Sequence, residues 1–107
     1  MALLLLVLAC TGTPEDTGPT CTDEERLVNW ENFGAGFFAG YCRTCHSAGT
    51  PDRLGAPVGV DFDTEADVYT HRAAIRRTTL DDATRPMGGG VQTAELEALD
   101  VFLECGL

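Results

Sequence analysis

The chain has 107 residues, enough for one domain near the lower end of what a hydrophobic core sustains unaided. Seventeen acidic residues against seven arginines and no lysine give a net charge of −10. This excludes the basic footprint of a nucleic-acid binder and docking on anionic lipid through a basic patch. Aromatic residues make up 7%, so a core built from protein alone is thin, and a bulky apolar cofactor or a cross-link would help it.

Leu3 to Leu8 form an apolar run. It is too short for a bilayer, which takes roughly 20 apolar residues, and it reads as the core of a signal peptide. Val7-Leu8-Ala9-Cys10 resembles the lipobox of bacterial lipoproteins. That resemblance implies a signal peptide over 1–9, a lipid on Cys10 and an N-terminal membrane anchor. The alternative is an ordinary secretory signal with an incidental cysteine. Residues 10–21 carry Thr, Gly and Pro and read as a flexible tether, leaving 22–107 as the folded domain.

Within the domain, Thr22-Asp23-Glu24-Glu25 is a capping-box pattern opening a short helix. Trp30, Phe33, Phe37, Phe38 and Tyr41 recur at helical spacing and predict a helix over about 30–41, although Gly34, Gly36 and Gly40 weaken it. Residues 47–60 hold five Gly or Pro and read as an irregular loop. Thr64 and Asp67 form a second capping pair, predicting a helix to about Thr78 that partly buries Val68, Tyr69, Ala73 and Ile75. Residues 81–90, with Pro86, Met87 and three consecutive glycines, form a loop. Thr93 is expected to cap a last helix whose apolar face is Leu96, Leu99, Phe102 and Leu103, with Gly106 ending it. The predicted class is all-α, with three to four helices and no strand.

The five cysteines divide by context. Cys42-Arg43-Thr44-Cys45-His46 is a C-x-x-C-H run, the attachment signature of c-type haem. Two thiols three positions apart on a helical turn reach two vinyl groups of one porphyrin, and the next residue brings an imidazole under the iron. The competing readings are a thioredoxin-like redox pair, which needs a preceding strand, and half a zinc site, which lacks its second half. Cys21 and Cys105 bracket the domain. Outside the cytoplasm they are expected to form a disulfide rather than remain free thiols.

These features resemble class I cytochrome c domains over about Trp30 to Gly106. Gly34 and Phe38 stand eight and four residues before Cys42, and Val101-Phe102-Leu103 lies in the last helix, as in that family. The resemblance implies a cytochrome c-like fold in which the first and last helices cross closely at the glycine. It implies one covalent haem c on Cys42 and Cys45, with His46 as the proximal ligand. It also implies a distal methionine from a loop after the middle helices. Apart from Met1, the chain has one methionine, Met87, and glycines beside it let the backbone approach a flat ligand. His71 is the alternative distal ligand.

The implied function is single-electron transfer with His/Met ligation, not catalysis. Partners would be redox proteins met transiently, on the periplasmic side of a bacterial membrane, with outer-membrane attachment through Cys10. Two alternatives remain: a haem-based ligand sensor with a labile distal site, and a non-haem thiol or metal-binding module.

Overall fold

A computed structural model describes residues 20–107. The expected signal peptide, Cys10 and almost all of the tether lie outside the described residues. Regular structure among the described residues is entirely helical. None of its helices is long and apolar enough to cross a membrane.

A single 3₁₀ turn, Glu25–Leu27, comes first. The Thr22 N–H donates to the Glu25 carboxylate at 2.8 Å, and the Glu25 N–H donates to the Thr22 hydroxyl at 3.2 Å. Helix α1, Ala35–Tyr41, is preceded by wider π-helical turns over Trp30–Gly34. The widening shows where Phe33 and Gly34 both donate to the Asn29 carbonyl at 3.0 Å. Asn29 and Asn32 cap this segment reciprocally, a pair that the aromatic spacing hides.

Helix α2, Glu65–Ile75, starts at the expected Thr64–Asp67 capping box and widens into π-helical turns over Arg76–Asp81. Val68 and Ile75 are buried, but Tyr69 and Ala73 are exposed. The inward stripe runs 68, 71, 75 and 79, and residues 69 and 73 fall to one side of it. Tyr69 instead carries the Arg72 guanidinium 3.9 Å over its ring.

Helix α3, Thr93–Val101, continues as π-helical turns over Phe102–Gly106. Its N-cap is Gln92, not Thr93. The reason is register: three residues beyond Gln92 stands Glu95, whose carboxylate accepts the Gln92 N–H at 3.3 Å. Three beyond Thr93 stands Leu96, which can accept nothing.

Among the described residues the core is eight buried side chains, with Phe38, Val68, Leu99 and Phe102 fully enclosed. Gly34 lies against Phe102. A Cβ on Gly34 would stand 2.7 Å from Phe102 Cζ and 2.8 Å from Trp30 Cε3, so the two terminal segments approach more closely than any side chain permits. Cys21 and Cys105 are joined by a disulfide, their Cα atoms 5.7 Å apart. Arg76 pairs with Asp100 at 2.6 Å and Glu104 at 3.2 Å, tying the end of α2 to α3.

Candidate haem-binding site

Four segments enclose a cavity of about 530 Å³, within the roughly 300–1,000 Å³ of small-molecule and cofactor pockets. One wall is the end of α1 and the turn after it. The loop around residues 53–60 forms the second, and the inward face of α2 with Thr78 and Thr79 the third. Arg85, Pro86 and Met87 close the fourth. The lining is mainly apolar, and Phe38, Phe62 and Ile75 belong both to it and to the core. Cys42, Cys45, His46, His71 and Met87, selected from separate stretches of sequence, all line this one space.

The C-x-x-C-H residues take up a helical turn. Cys42 N–H donates to the Phe38 carbonyl at 3.0 Å, and His46 N–H to the Cys42 carbonyl at 2.9 Å. The turn is pinned from outside by Asp63, which accepts from Arg43 Nε and from the Ala48 N–H, both at 2.9 Å. The Ser47 hydroxyl, the Ala48 N–H and Arg43 hold the Asp63 carboxyl below the usual carboxylate range. The Thr50 hydroxyl donates to the Thr44 carbonyl at 3.1 Å.

His46 is oriented from both sides. Its Nδ1 lies 2.7 Å from the Val60 carbonyl, which can only accept, so Nδ1 carries a proton, and in the neutral imidazole the lone pair is then on Nε2. Its ring packs 4.7 Å from that of Phe62, which meets Phe38 at 5.7 Å, which in turn meets Phe102 at 6.3 Å. A chain of rings therefore connects the helix crossing to the imidazole. A histidine whose far nitrogen donates to a main-chain carbonyl is the arrangement of metal-ligating imidazoles.

Burial, with the neighbouring Cys45 as a lesser cause, pushes the Cys42 thiol up to about 12. Such a thiol stays protonated at neutral pH and is a poor nucleophile for disulfide exchange. A thioether carries no charge and suits the same dry place. Tyr41, also on the lining, donates to Glu95 at 2.6 Å, and that bond raises its phenol above the ordinary value.

No family model, no curated protein and no solved structure matches the chain.

On the opposing loop, Gly88, Gly89 and Gly90 all adopt positive φ, so the glycines fix the course of the chain beside Met87. Met87 itself is 61% exposed. His71 is half-buried and meets the edge of Phe62 at 5.8 Å. Sequence reasoning missed Arg53 and the Val60 carbonyl. A loop of glycines and prolines shows no periodicity, and a main-chain acceptor has no residue signature at all. The donor set fits a c-type haem: two thiols on one turn, an oriented imidazole after them, and a thioether across an apolar cavity.

Proposed function

We propose that the chain is a small c-type cytochrome that carries single electrons in the cell envelope. In this reading Cys42 and Cys45 hold one haem through thioether bonds, His46 Nε2 is the proximal ligand and Met87 the distal one. The observation that carries it is the convergence of these four residues on one apolar cavity, with His46 Nδ1 already committed to the Val60 carbonyl. A bound haem iron supplies one-electron exchange between its ferric and ferrous states. The protein's own part is to exclude water from the porphyrin face with Phe38, Phe62 and Ile75 and to hold the imidazole by Nδ1. With His46 and Met87 both holding the group, no open position would be left for substrate, and the protein would act as a carrier rather than an enzyme.

The remaining elements of the proposal concern place and partners. They are export by the N-terminal signal, lipidation of Cys10, and periplasmic attachment at the outer membrane. Partners are redox proteins met through small transient interfaces. The cytochrome c-like arrangement is supported by the close passage of Phe102 over Gly34.

The test is purification from a host able to mature c-type haem. The expected product is coloured, heavier than the polypeptide by one haem, and keeps its pigment through acid–solvent extraction. Colourless protein, or pigment lost on extraction, would refute the proposal. A second reading, a sensor with a labile distal position, draws on the exposure of Met87 and the presence of His71 in the same cavity. Rapid carbon monoxide binding by the reduced protein would favour it over the carrier.

A further inference from the structure

Arg53 enters the cavity lining from a loop otherwise made of small and apolar residues. Its guanidinium makes four hydrogen bonds to main-chain carbonyls: Nε to Ala56 at 3.2 Å, Nη1 to Ser47 at 2.8 Å, and Nη2 to Pro57 at 2.7 Å and Val60 at 3.2 Å. Nη1 also lies 2.7 Å from Asp61 Oδ1, with both side chains less than a fifth exposed. That oxygen is buried and accepts no well-directed hydrogen bond, so the ion pair is its compensation. The guanidinium is thus committed to its own loop. The Val60 carbonyl it touches is the one that accepts from His46 Nδ1.

We propose that Arg53 is a positioning residue that sets how much electron density His46 gives to a bound haem iron, acting through the Val60 carbonyl oxygen they share. The inference rests on the haem reading above. Two donors on one carbonyl oxygen compete for its electron density. A cation among them lowers the negative potential that the imidazole N–H meets, the more so in a site of low dielectric. A weaker acceptor at Nδ1 makes the imidazole a poorer donor at Nε2, which disfavours ferric iron and raises the reduction potential. Asp61 opposes this by partly neutralising the guanidinium. Asp61, Arg53, Val60 and His46 therefore form one chain of influence. Leu54, held at φ +49 next to Arg53, shows that the loop keeps a costly backbone conformation at this point.

The experiment compares holoprotein of the wild type with Arg53→Gln, Arg53→Lys and Asp61→Asn. Covalent haem is measured by mass, the reduction potential by optical titration, and the His46 Nδ1 proton by NMR of the ferrous form. Arg53→Gln is expected to shift the oxidised-to-reduced ratio at fixed potential at least fivefold toward oxidised, about 40 mV at 59 mV per decade. Its Nδ1 proton should move downfield as that hydrogen bond strengthens. Asp61→Asn should move both quantities the opposite way, and Arg53→Lys should lie near the wild type in potential.

A shifted potential with an unmoved Nδ1 proton would overturn the inference, leaving only a through-space charge effect. An unchanged potential in Arg53→Gln and Asp61→Asn would overturn it too. If Arg53→Gln fails to fold, Asp61→Asn decides alone, because it keeps all four carbonyl bonds. A wild type without covalent haem would instead refute the functional proposal, and the inference with it.

Discussion

Gly34, Gly36 and Gly40 stand close together along the first helical segment, and alanine at Gly34 has the opposite predicted sign of effect from alanine at Gly36 or Gly40. Gly34 has φ −59, which alanine adopts freely, so only space matters there. Its new methyl would meet Phe102 at 2.7 Å and Trp30 at 2.8 Å. Phe102 is fully buried, and Phe33 and Phe38 pack against it at 5.8 and 6.3 Å, so the ring has nowhere to withdraw. Overpacking of this kind costs about 2–3 kcal/mol. Better helix propensity returns about 1 kcal/mol. The net loss for Gly34→Ala is about 1–2 kcal/mol, or a fall in Tm of about 5–15 °C for a domain of this size. At Gly36 and Gly40 nothing lies within 4 Å of the added methyl, and both residues are exposed. Those substitutions keep the propensity gain, about 0.5–1 kcal/mol each. Urea unfolding followed by circular dichroism measures all three midpoints under one condition. If Gly34→Ala were as stabilising as Gly36→Ala, the close crossing of the two terminal segments would be refuted.

Replacing Cys21 and Cys105 together by serine opens a loop of 84 residues, with an expected loss of about 4–5 kcal/mol in the chain-entropy model; a denaturation midpoint unchanged in the double variant would contradict it. Asp63 is held ionised by Ser47, Ala48 and Arg43, so its contribution to stability is present above the unfolded-state pKa of about 3.9 and is lost as pH falls through the lower folded value. The Tm of the wild type should therefore drop more steeply below about pH 4 than that of Asp63→Asn, and parallel profiles would count against the pinning of the turn. Met87→Ala should keep covalent haem, lose the weak sulfur-to-iron charge-transfer band of the ferric form, lower the reduction potential and bind carbon monoxide readily. Persistence of that band would remove Met87 as the ligand.

Where chemistry is carried by a side chain at a fixed spacing, the sequence was informative. The Thr64–Asp67 cap and the Thr22–Glu25 pair stand where spacing placed them, whereas the apposition of Gly34 with Phe102 was implied only by the family resemblance. Register errors arose where two candidate residues were adjacent. Thr93 is the better capping residue in isolation, yet Gln92 takes the position because Glu95 is in reach of it. Tyr69 and Ala73 looked apolar enough for the core, but a helix buries a stripe, and Val68 and Ile75 define it. The least legible part was the loop over 47–60. Its order comes from one arginine binding carbonyls of Ser47, Ala56, Pro57 and Val60, and carbonyls are the same in every sequence.

The core and the cavity share a wall, and this links stability to the site. Phe38 is fully buried and packs on Phe102 on one side, while on the other it meets Phe62, which carries His46. Any looseness at the crossing of the terminal segments therefore reaches the imidazole through three ring contacts rather than through the backbone. The covalent restraint lies at the far end of the same chain of contacts. The disulfide joins the segment before the 3₁₀ turn to the end of the last helix, and a Cβ on Gly106 would collide with the Val28 carbonyl. Eight buried side chains would be a weak frame for a cavity of about 530 Å³ if each element could drift. Fixing the two ends of the domain to each other leaves the loops over 53–60 and 85–87 to close the opposite side. Those loops contribute no fully buried side chain and are held chiefly by glycines at positive φ and by Arg53, so that side of the cavity is shaped by elements outside the eight-residue core.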